Sequence, residues 1–103
     1  MNDIQIAQTI LSQLGGQRFQ LFTGAKSLAV IEKGLQFNLP KIRNYVKNGI
    51  TQVRITLEPS DTYRIVFGKI HQHEFNKIEE ISGLFADQLQ EFFTEHTGLD
   101  TKF

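Results

Sequence analysis

Lys41, Arg43, Tyr45 and Lys47 alternate along one short segment that ends in the turn signal Asn48-Gly49. The alternation sets three cations and a phenol along one side of the chain, and Lys26, Arg54 and Arg64 lie in flanking segments. Cations around a tyrosine suit phosphate contact combined with base stacking, so these seven residues form a candidate nucleic-acid surface. The same residues also describe an ordinary wet face, because antiparallel sheets often leave one side to solvent. An RNA reader of the four-stranded-sheet type carries aromatic rings on its exposed face. Here Phe37, Tyr63 and Phe67 fall on the apolar phase of their strands, which argues against that type.

Asp87, Glu91 and Glu95 stand four residues apart, a carboxylate ridge if the segment is helical. Like charges at that spacing mildly destabilise a helix. The ridge is therefore a candidate protein-binding surface facing a basic partner, with a solvated amphipathic face as the plain alternative. His71 and His73 share one side of an extended segment, and Glu74 and His96 are the obvious further ligands. A metal site needs three or four convergent ligands and nothing in the spacing supplies them, so none is assigned. No Gly-rich phosphate loop follows a strand, no Gly-x-Ser-x-Gly elbow is present, and no cofactor motif is found. The expectation is a protein that is not an enzyme and holds no cofactor.

Charge is balanced over the chain but not along it. Nine Lys or Arg against three acids occupy residues 18–69, whereas seven acids against Lys77 alone occupy residues 74–100. Such a dipolar distribution steers charged partners if the fold keeps the two regions apart. At 103 residues, with 40% hydrophobic and 21% charged side chains, the chain is one globular domain outside the disordered class. It contains no cysteine, no window near the ~18 apolar residues of a membrane span, and no secretion signal at Met1-Asn2-Asp3-Ile4. A cytoplasmic protein without membrane contact is expected.

The elements that must position these groups are legible from periodicity. Ile4, Ala7, Leu11 and Leu14, widened by Ile6 and Ile10, predict a helix over 3–14, capped by Asn2 or Asp3 and stopped by Gly15-Gly16. Phe19 and Leu21 alternate with Arg18 and Gln20, then come an apolar run at 27–32 and an alternating one at 35–39. These read as three short strands. Val53, Ile55 and Leu57, then Tyr63, Ile65 and Phe67, alternate around the Glu58-Pro59-Ser60-Asp61 turn and predict a hairpin. Residues 71–81 read as a charged edge strand carrying Phe75. Phe85, Leu89, Phe92 and His96, broadened by Ala86 and Phe93, predict a second helix over 84–96. The fold class is α+β: an N-terminal helix, a five- or six-stranded mostly antiparallel meander and a C-terminal helix, with both helices on one sheet face. Gln36, Asn38, Gln52, Arg54, Thr56, Thr62 and Arg64 would line the other face.

As an ordered set, several stretches resemble a family of small proteins carried by bacteriophages, prophages and other mobile elements. They are Thr9-Ile10-Leu11 into Leu14-Gly15-Gly16, Thr23-Gly24-Ala25-Lys26, Leu35-Gln36-Phe37 before Pro40, and Val53-Arg54-Ile55-Thr56-Leu57. Asp61-Thr62-Tyr63, Phe67-Gly68, and Ala86-Asp87-Gln88-Leu89 leading to Thr97-Gly98-Leu99 complete the set. The likeness spans nearly the whole chain and departs from the family at Gln17, Phe22 and Phe85, where Asn, Met and Tyr are expected. It implies a setting and no mechanism. Within the set, the small residues and lysine of Thr23–Lys26 mark a turn suited to a partner or a phosphate. Two functions follow as expectations: a protein-binding modulator of a host or phage factor, or a nucleic-acid-binding accessory protein. An edge strand at 71–81, or basic-to-acidic docking of two copies, would give a homodimer, which the sequence leaves level with a monomer.

Overall fold

The computed structural model of the chain describes residues 1–42 and 44–101. Asn2 begins α1 (Asp3–Leu14): its side chain accepts the Gln5 N–H at 2.8 Å, while Gln5 Oε1 accepts the Asn2 N–H at 3.1 Å. That reciprocal pair satisfies two donors that a helix start otherwise leaves open. A second helix, α2 (Gln17–Thr23), follows at once where a strand is expected. The alternation of Phe19 and Leu21 is too short to separate the two periods. The structure buries Phe19 and Thr23, four residues apart, and leaves Leu21 80% exposed.

Five strands then run as an antiparallel meander in the order of the sequence: β1 (Lys26–Ile31), β2 (Gly34–Asn38), β3 (Gln52–Leu57), β4 (Tyr63–His71) and β5 (Glu74–Leu84). α3 (Leu89–Thr97) closes the described chain. The β3–β4 hairpin turns where the sequence places it. β4 and β5 extend further than expected, turning at Gln72 and His73, both with left-handed backbone. β5 passes through Ser82-Gly83 to Leu84, and an irregular register opposite Tyr63–Ile65 absorbs the extra residue.

Register explains the core. Phe37 pairs with Val53 and Val53 with Phe67, while Leu35 pairs with Ile55 and Ile55 with Ile65. All six are buried on one sheet face, together with Ile6, Ile10 and Leu14 of α1 and Leu89 and Phe93 of α3. Phe19 meets Phe37 and Phe93 edge-on, at centroid distances of 5.1 and 5.2 Å. Rings so placed gain quadrupole attraction beyond burial alone. The helices thus cover one face of the sheet, and among the described residues no helix lies over the other.

α3 starts later than periodicity predicts. A single 3-10 turn, Ala86–Gln88, precedes it, and Phe85 lies outside the helix with its N–H bonded to Gln88 Oε1 at 2.9 Å. The buried stripe is therefore Leu89, Phe93 and Thr97, with Phe92 and His96 half-buried, and Phe85 stands 63% exposed.

α2 and α3 end in the same way. Thr23 Oγ1 donates to Phe19 O at 2.6 Å and accepts the Ala25 N–H at 3.1 Å. Thr97 Oγ1 donates to Phe93 O at 2.7 Å and accepts the Leu99 N–H at 3.2 Å. Left-handed Gly24 and Gly98 complete the two stops. Thr23 is fully buried, and the Gly24 N–H also goes to Gln20 O. The Thr23–Lys26 turn is a helix stop in which the Thr23 hydroxyl and the Gly24 and Ala25 amides are already bonded, while Lys26 is exposed.

Candidate functional site

The open sheet face is a connected polar layer. Gln52 Nε2 donates to Asn38 Oδ1 at 3.0 Å, and Gln52 Oε1 accepts from Arg54 Nη2 at 3.1 Å. Arg54 Nε donates to Gln36 Oε1 at 3.1 Å, and the guanidinium lies 3.9 Å from the centroid of the Phe75 ring. Phe75 reaches Arg54 across Gly68, the one β4 residue with no side chain to obstruct it. A Cβ on Gly68 would collide with the Phe75 ring and stand 2.9 Å from Asn76 O. Arg64 pairs with Glu58 at 3.1 Å and with Glu80 at 3.7 Å, and Lys77 pairs with Glu80 at 3.1 Å.

This layer revises the expected nucleic-acid surface. Arg54 and Arg64 do lie on the open face, but both are engaged by partners within the chain. Lys47 is engaged as well. Its Nζ donates to Glu95 O at 3.0 Å, and its stem packs on Gly98, so it caps the carbonyl end of α3. Arg43 lies outside the described residues. Lys26, Lys41 and Tyr45 are exposed and their side chains have no hydrogen bond or ion pair among the described residues.

Lys41 belongs to a cleft of about 440 Å³ between the 40–50 loop and the end of β4. Lys69 lines the same cleft; it continues the phase of Tyr63, Ile65 and Phe67 but lies exposed at the end of β4, past the part the helices cover, and the sequence does not single it out. The Lys47–Glu95 contact also shows that the basic loop abuts the C-terminal end of the acidic helix, so the two charge regions meet there rather than standing at opposite poles.

Asp87, Glu91 and Glu95 are all exposed, with no ion pair among the described residues. Asp87 sits in the turn before α3, and Glu91 and Glu95 lie four residues apart on the helix. Exposed Phe85 stands at the head of this row.

His71 and His73 are exposed at the β4–β5 turn. His96 is elsewhere, stacked on Phe67 at 5.1 Å with Nδ1 2.9 Å from Phe92 O. Among the described residues no three His, Asp or Glu side chains gather as a metal would require. No helix among the described residues is long and apolar enough to cross a membrane.

Compared with family models, with curated proteins and with solved structures, the chain matches none.

Proposed function

We propose that this chain is a non-enzymatic accessory protein that acts by docking on another protein, with Phe85, Asp87, Glu91 and Glu95 as the contact. The proposal extends to a cytoplasmic setting in a phage or mobile element, in line with the cysteine-free composition and the sequence resemblance. One observation carries the docking reading. On the open sheet face every described Lys, Arg and Glu near the strand centres has a partner, whereas the α3 row has none and begins with an aromatic ring 63% exposed. An aromatic anchor beside unpaired carboxylates suits a basic groove with an apolar pocket: the ring supplies buried area, and the charges supply rate and orientation.

The test is affinity capture from bacterial lysate by the wild-type chain and by Asp87→Lys/Glu91→Lys/Glu95→Lys and Phe85→Ser variants. A protein retained by the wild type and lost from both variants supports the reading. Equal retention by all three contradicts it.

Nucleic-acid binding is the second reading, and Lys26, Lys41 and Tyr45 favour it, being exposed and unengaged. It loses Arg54, Arg64 and Lys47 to internal contacts, so it rests on fewer phosphate contacts and calls for a shallow salt dependence.

A further inference from the structure

We propose that the cleft between the 40–50 loop and the end of β4 binds a small anion with an apolar body, a phosphate monoester being the best fit. This does not depend on what α3 contacts. The cleft's volume, about 440 Å³, falls within the roughly 300–1,000 Å³ of small-molecule sites.

Its lining has the composition such a ligand requires. Two cations, Lys41 and Lys69, stand at the cleft, and neither has a hydrogen bond or ion pair among the described residues. Of the eleven described residues around the cleft, none is a carboxylate, although acids and bases are equal in number over the chain. Two unneutralised ammonium groups match a dianion better than a single charge. Val46 and Ile50 are buried beside the cleft and Ile42 is 62% exposed, so an apolar body has surface to cover.

The loop is also held in an uncommon shape. Asn44 and Asn48 both adopt left-handed backbone, with φ of 65° and 61°. Asparagine tolerates this region better than most residues, but the conformation still carries a cost and recurs at ligand clamps. The loop is tied to the sheet by Leu39 N–H to Thr51 O at 2.8 Å and by Ile70 N–H to Thr51 Oγ1 at 2.9 Å, so the cleft is preformed on both sides. Lys69 folds toward the loop, with Nζ 3.8 Å from the position that a Cβ on Gly49 would take.

The experiment is a titration of the 15N-labelled chain, followed by amide shifts, with AMP as probe. Adenosine and inorganic phosphate serve as its separate halves. The expected result is saturable shifts confined to amides 41–50 and 69–70, with AMP binding more tightly than either half. Lys41→Gln and Lys69→Gln should each weaken AMP by about tenfold, the scale of one lost charge-assisted hydrogen bond, and Lys77→Gln on β5 should leave it unchanged. All three sites are exposed, so the amide spectrum of each variant also reports that the fold is intact. No saturable shift at millimolar AMP overturns the proposal, as does adenosine binding as tightly as AMP. A short single-stranded oligonucleotide that binds the same amides more tightly than AMP overturns it in favour of nucleic acid.

Discussion

On the open face of the sheet, Arg54 lies under Phe75 and donates to Gln36 and Gln52, while Arg64 and Lys77 share Glu80. In the turn before α3 and on that helix's outer side, Asp87, Glu91 and Glu95 face solvent with no described partner. The two regions are similar in polarity and opposite in use. In the first, polar groups complete one another across strands and behave as a thin second core. In the second, they have no ion pair among the described residues, and the favourable charge of Asp87 and Glu91 at the start of α3 is set against their mutual repulsion. A charge with an internal partner has a structural explanation, whereas a charge without one is available to a partner from outside.

The comparison breaks most severely at Gly68. A side chain there displaces Phe75 from Arg54, so Gly68→Val should lower stability by about 3 kcal/mol, the upper range for overpacking. A fall in the urea midpoint measures it, and an unchanged midpoint would mean that Phe75 does not lie across β4. Next comes the coupling between ring and guanidinium. A double-mutant cycle with Arg54→Ala and Phe75→Leu should return about 0.5–1 kcal/mol of interaction, as expected for a partly shielded cation over an aromatic face. A coupling of zero would reduce the layer to hydrogen bonds alone. The smallest effect belongs to α3. Neutralising Asp87, Glu91 and Glu95 removes like-charge repulsion together with the favourable charge of Asp87 and Glu91 at the helix start, so stability should change by about 0.5 kcal/mol or less.

What the sequence reveals of this arrangement follows the range of each interaction. α1 and the β3–β4 hairpin are legible because their patterns are long and their stops local: Asn2 with Gln5, Gly15-Gly16, and the Pro59 turn. α2 is misread because seven residues between glycines fit either period, and burial against Phe37 and Phe93 decides for the helix. Phe85 is misplaced because one 3-10 turn before α3 moves it off the buried stripe. The α3 carboxylates are readable, since their exposure needs only helical spacing. The engagement of Arg54 is not, because it depends on which β5 residue crosses Gly68, and the irregular register between Phe67 and Gly68 sets that. Lys69 is missed for a similar reason: only the fold brings the end of β4 beside the 40–50 loop.

The most direct test of the distinction between engaged and available charge is a side-by-side urea denaturation of Arg54→Ala and of Asp87→Asn/Glu91→Gln/Glu95→Gln. Arg54→Ala leaves the carbonyls of Gln36 and Gln52 without their donor and should lower stability by about 1–2 kcal/mol. The triple neutralisation should change stability by about 0.5 kcal/mol or less, because relieved repulsion offsets the lost charge at the start of α3. The reverse pattern, a stable Arg54→Ala chain and a destabilised triple variant, would contradict the account: it would make α3 the structural surface and return Arg54 to the list of residues free to bind.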